Sequence, residues 1–161
     1  AHILRAVGGT SYAPRFEALT AIHAALATGA LAKARTLNGC RLVVTRGRLI
    51  VTREASAALK VAPAVLQTRD AVLWDGRFSV ALNGPMSKSG VAPQVRALGA
   101  DGLKLVRAAA CSGPDWPKSV LPTLPALWAG ERLLAVPHLA FQAADVGLTA
   151  LFVYRGRFTL P

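Results

Sequence analysis

From Pro14 to about Leu31 apolar side chains recur at three- and four-residue intervals. Phe16, Leu19, Ile22, His23 and Leu26 share one face, which predicts an amphipathic helix with Arg15 and Glu17 in solvent. On that stripe His23 is expected to be a satisfied core histidine, and Gly29 weakens the far end. Ahead of it, Ile3-Leu4-Arg5-Ala6-Val7 reads as the tail of another helix, ended by Gly8-Gly9.

From Thr36 the period shortens to that of strands. Cys40 to Thr45 and Leu49 to Arg53 flank Arg46-Gly47-Arg48. The same arrangement recurs around Gly76 (Val72-Leu73-Trp74 and Phe78-Ser79-Val80), around Gly130 in Leu124–Leu139, and around Gly156. These turns share no period, so they predict four hairpins of one mixed sheet system and not a solenoid. Val95 to Leu98 suggests a strand, and Asn83 to Gly90 a polar loop carrying Lys88. Asp101 is a candidate N-cap for a helix from Gly102 to about Ala110. Leu103, Val106 and Ala110 would face inward there, with Lys104 and Arg107 outward. Residues 113–117, two prolines around Trp116, break that helix. The fold class is α+β: short mixed or antiparallel sheets built from hairpins, a few helices, and an N-terminal helical segment. Residues 1–35 are expected to continue from an upstream domain, with residues 36–161 forming the α+β domain proper.

Composition narrows the function. The 161 residues are 53% hydrophobic, enough for a core, yet no apolar run approaches the roughly 20 residues that span a bilayer. A soluble, cytoplasmic protein without a membrane partner is expected, and Ala1 reads as a cut inside a larger protein. Nineteen Lys and Arg against eight Asp and Glu leave a net charge of +11. Such an excess attracts polyanions, nucleic acid first, although codon bias also produces arginine- and alanine-rich chains. Cys40 and Cys111 stand singly, as buried thiols and not as a disulfide framework or zinc site.

A catalytic set does not assemble from these residues. Gly8-Gly9-Thr10-Ser11 lacks the glycine spacing and lysine of a phosphate cradle. The acids are scattered singly, and Asp75 is explained by its place before Gly76. His2, His23 and His138 have no second ligand at helical or hairpin spacing. A self-contained enzyme would need His138 and a carboxylate brought together in a cleft. Binding remains. Arg46, Arg48, Arg77, Arg155 and Arg157 at turns are expected to be exposed. Trp74 and Trp128, beside hairpin turns, are expected to pack; Trp116, next to Lys118, is the candidate contact aromatic.

Several patches, in order, resemble one family. The hairpin Leu124–Leu139, preceded by Trp116-Pro117-Lys118 and a helix with Lys104, resembles the C-terminal region of bacterial tRNA(Ile)-lysidine synthetase. Tyr12-Ala13-Pro14-Arg15, Thr36-Leu37-Asn38-Gly39-Cys40-Arg41-Leu42, Thr52-Arg53-Glu54 and Trp74-Asp75-Gly76-Arg77-Phe78 are similar to the same region of alphaproteobacterial-type members. That family ligates lysine to the wobble cytidine of an isoleucine tRNA by ATP-driven adenylation. The resemblance implies that ATP, with Mg, binds an N-terminal domain whose Ser-Gly-Gly-x-Asp-Ser loop is not in this sequence, so the chain itself holds no cofactor. It implies that this region helps recognise the tRNA body and acceptor stem. Its fold is expected to be related to an α/β domain of phenylalanyl-tRNA synthetase. One position departs: members often carry arginine four residues before the proline opening the final hairpin, where this chain has Leu121. Lys118 supplies charge nearby but not a bidentate fork.

The expected tRNA-contact set is therefore Lys104, Arg107 and Lys118, with Arg46 and Arg48 next and Trp116 as the aromatic. Expected partners are tRNA(Ile) and the catalytic domain. The alternative is a structural module that packs on that domain, or on a second copy as a homodimer, without touching RNA.

Overall fold

A computed structural model describes residues 1–67, 71–83, 91–111, 116–142 and 147–152. Its architecture is α+β, with four α-helices and three small antiparallel sheets among the described residues. The chain divides into two compact units between Glu54 and Ala55.

The first unit opens with α1 (His2–Gly8), closed by Gly9 at φ 64, and α2 (Phe16–Ala27). Three strands follow, β1 (Arg35–Leu37), β2 (Cys40–Thr45) and β3 (Arg48–Arg53), paired in that order. Both connections are two-residue turns with positive φ at each position: Asn38 and Gly39, then Arg46 and Gly47. That geometry matches the right-handed twist of the paired strands. Leu4, Cys40 and Leu42 form the buried core, with Val7, Leu19, Ile22, Leu37 and Val51 packed on it. The Cys40 thiol donates to the Leu4 carbonyl at 3.3 Å, tying sheet to helix. Gly8 allows that approach, since a Cβ there would run into the Asn38 carbonyl.

The amphipathic stripe of α2 is only half realised. Leu19 and Ile22 reach the core, but Phe16 is 80% exposed, His23 is exposed, and the helix has no buried residue. His23 is thus not a core histidine. The helix also stops at Ala27, ahead of Gly29 (φ 69) and short of the expected Leu31.

The second unit is layered. After α3 (Ala55–Leu59) come β4 (Ala64–Val65), β5 (Val72–Trp74), β6 (Phe78–Asn83), β7 (Gln94–Ala97) and α4 (Gly99–Ala108). Strands β8 (Pro125–Ala129), β9 (Arg132–Val136), β10 (Phe141–Gln142) and β11 (Gly147–Phe152) complete it. One sheet has the order β10-β9-β8-β7-β4, and a three-stranded sheet has the order β11-β6-β5. Trp74, Phe78, Val80, Leu82 and Leu148 of the smaller sheet share a buried cluster with Val95, Leu127 and Ala135 of the larger. On the other face of the larger sheet, Ala126, Trp128, Leu133 and Val136 pack with Leu98 and Val106. With both faces covered, Pro125 to Trp128 is buried at every position and shows no alternation. The Leu124–Leu139 segment is the expected hairpin, turning at Gly130 (φ 56), with Trp74 and Trp128 packed as expected.

Two expectations need correction. The three expected hairpins that are described belong to three separate sheets whose pairings, among the described residues, are all antiparallel, because strand neighbours are chosen by which faces must be buried. Helix α4 begins three residues before the expected Gly102. Asp101 lies inside its first turn and caps nothing, and Ala110 falls beyond the helix, exposed at φ 52. The hairpin around Gly156 and the loop at residues 84–90 lie outside the described residues.

Candidate nucleic-acid interface

Helix α4 sets the first group of cations. Val106 is buried and Leu103 half-buried toward the sheet. Gly102 lets the helix lie close to the hairpin, for a Cβ there would come within 2.9 Å of the Trp128 ring and 2.5 Å of Leu98. Asp101, Lys104 and Arg107 are left in solvent. Lys104 Nζ donates to Asp101 Oδ1 at 2.9 Å, with both side chains open to water. That bond and charge hold the Asp101 carboxyl below its ordinary range. Being exposed, the pair is screened by salt and exchanges readily for a stronger anion.

Lys118 and Trp116 lie in the segment leading into a 3-10 turn (Leu121–Thr123), against which α4 packs. Lys118 is exposed. Trp116 is half-buried on the cluster beneath α4, its ring centroid 5.7 Å from that of His138. Leu121 packs on that same cluster. Arg46 and Arg48 lie in the first unit, exposed at the β2–β3 turn; Arg46 itself takes φ 50. Arg46, Arg48, Arg107 and Lys118 make no ion pair or side-chain hydrogen bond among the described residues.

Arg77 behaves differently from the expected exposed turn cation. It is 5% exposed, with Nε donating to Asp75 Oδ2 at 2.7 Å and a terminal nitrogen to the Thr123 carbonyl at 3.0 Å. Its guanidinium also lies 4.8 Å from the Phe78 ring centroid. Asp75, at φ 51, is both a turn residue and the buried counter-ion. A turn ordinarily faces water, but here the segment carrying Thr123 covers it. Arg53 is likewise buried, donating to the Gly39 carbonyl at 3.0 Å.

His138 borders this pair. Its ring meets Phe78 edge-on at 5.5 Å, and its Nδ1 is buried without a hydrogen-bond partner among the described residues. Burial, and then the Arg77 charge, lower its pKa below the ordinary 6.5, favouring the neutral imidazole. Arg96 extends over Trp128 at 4.2 Å and reaches Glu131 at 3.5 Å. Cys40 is buried as expected, whereas Cys111 is half-buried.

Among the described residues no three of His, Cys, Asp and Glu come together as a metal site. A cavity of about 180 Å³ in the first unit is lined by Ala25, Leu26, Leu31, Val44 and Leu49 with two glycines, and offers no reactive group. Among the same residues no helix is long and apolar enough to cross a membrane. No family model matches the chain, and neither does any curated protein or solved structure.

Proposed function

We propose that this chain binds tRNA, as the C-terminal recognition region of a tRNA(Ile)-lysidine synthetase, a cytoplasmic ATP-dependent carbon–nitrogen ligase. In this reading it positions the substrate for lysine ligation by a catalytic domain upstream, which would hold ATP and Mg. The supporting observation is the state of the cations: Arg46, Arg48, Arg107 and Lys118 are exposed and without intramolecular partners among the described residues. Lys104, adjacent to Arg107 on α4, is held only by an exposed carboxylate. Such groups neutralise phosphates and release counter-ions, so affinity would be salt-steep and weakly sequence-selective. Titrating the chain with an isoleucine tRNA at two salt concentrations tests the reading. Weak binding that ignores salt would sink it.

One observation favours a second role alongside. Ile3, Tyr12 and Phe16 of the first unit are 50%, 67% and 80% exposed. Apolar side chains left open in this way suit packing against the catalytic domain or a second copy of the chain. Sedimentation of the chain alone distinguishes a homodimer from a surface awaiting another domain.

A further inference from the structure

The charge of this protein is concentrated where the fold is smallest. Residues 1–54 hold eight of the nineteen Lys and Arg but two of the eight acids, Glu17 and Glu54. Strand register decides where the sheet's own cations go. Leu37, Cys40, Leu42 and Val51 point to the helices, because all four join the core. Alternation then sends Thr36, Arg41, Val43, Thr45, Arg48, Ile50 and Thr52 to the opposite face. They form three cross-strand rows: Thr36–Arg41–Thr52, Val43–Ile50 and Thr45–Arg48. Arg41, Arg48, Thr36 and Thr45 are exposed, Val43 and Ile50 are half-buried, and Thr52 is buried. The side chains of Arg41 and Arg48 have no ion-pair or hydrogen-bond partner among the described residues, and Arg46 is exposed at the end of the same sheet.

We infer that this sheet face is a second RNA-binding surface, which grips the backbone of a double-helical segment through Arg41 and Arg48. The inference rests on the RNA-binding reading above and places a contact where α4 does not supply it. Rows one and three are four residues apart along β2, about 13 Å at roughly 3.3 Å per residue. Side chains stand roughly upright from a sheet, so the two guanidinium groups meet different phosphates of one polyanion. The face carries no aromatic residue, so it offers no platform on which unpaired bases stack. The exposed hydroxyls of Thr36 beside Arg41 and Thr45 beside Arg48 suit phosphate oxygens and 2′-hydroxyls, the groups a helical RNA presents.

The experiment uses the full chain, a 20-base-pair RNA duplex, an unstructured single strand of the same length, and phosphatidylserine vesicles. Arg41→Gln with Arg48→Gln should weaken duplex binding about tenfold and flatten the log–log salt slope by roughly 2. Arg41→Lys with Arg48→Lys should keep most of the slope, and both variants should melt with the parent because the side chains are exposed. Duplex should bind more tightly than single strand or vesicle. If the glutamine pair leaves duplex affinity and slope unchanged while Lys104→Gln with Arg107→Gln lowers them, this face is wrong and the RNA reading stands. Preference for single strand or vesicles also overturns the inference. If the parent chain binds no RNA, both readings fall.

Discussion

Replacing Asp75 by Asn should destabilise the second unit by about 3 kcal/mol, the lower end of what stranding a buried charge costs. The substitution keeps the shape, and asparagine tolerates the left-handed backbone at φ 51. What changes is the counter-ion of a guanidinium whose side chain is 6% exposed, with its partner at 2%. Arg77 would retain the Thr123 carbonyl and the Phe78 ring, together worth about 2 kcal/mol, and lose its carboxylate. Arg77→Met should cost about 3–5 kcal/mol by removing the cation paired with the buried Asp75 carboxylate. The double variant removes both charges and should be less damaged than either single one. Urea unfolding of the four proteins closes the cycle, and a loss of 3 kcal/mol lowers the melting temperature by roughly 12–24 °C in a domain of this size. Additive single effects below about 1 kcal/mol would refute the buried-pair argument. RNA affinity provides the control: folded Arg77 variants should bind as the parent does, because this cation faces the protein and not the solvent.

Three further outcomes follow from the same geometry. His138 has its folded pKa lowered below 6.5, so its contribution to stability is complete at high pH. As pH falls through about 6.5 the unfolded chain takes up the proton first, and stability drops. His138→Phe should abolish that share of the acid-side loss, and superimposable pH profiles would contradict the assignment. Gly8→Ala should destabilise the first unit by about 2 kcal/mol despite better helix propensity, since its Cβ meets the Asn38 carbonyl; hydrogen exchange in β1 and β2 reports it. Lys104→Glu with Arg107→Glu should weaken tRNA binding at least tenfold without moving the melting temperature, and unchanged affinity would remove α4 from the interface.

Local chemistry made much of this fold readable. Gly47, Gly76 and Gly130 mark hairpin turns because left-handed backbone is cheap there, and the runs beside them alternate or stay apolar. Asn38-Gly39, a dipeptide suited to a two-residue turn, was not among the four predicted hairpins, yet it closes the β1–β2 pairing. Strand partnership was not readable, because it depends on which faces bury each other across the whole unit. Arg77 illustrates the limit. A basic residue after Asp-Gly reads as solvated, yet its burial depends on Thr123, 46 residues away. The start of α4 was hidden by Gly99 at φ 67, which ends the strand and leaves Asp101 looking like a cap. Of the interface, the outward places of Lys104 and Arg107 followed from helical spacing. The Arg41–Arg48 face needed the register of two strands and knowledge of which side the helices cover.

The central claim is that this chain holds RNA by its phosphates, and its most direct test is the salt dependence of tRNA affinity for the unaltered chain. Five contacts, from Lys104, Arg107, Lys118, Arg46 and Arg48, correspond to a log–log slope of about −4.5, at roughly 0.9 per neutralised phosphate in duplex. A slope near that value supports the account. A slope near zero, or no measurable binding at low salt, contradicts it.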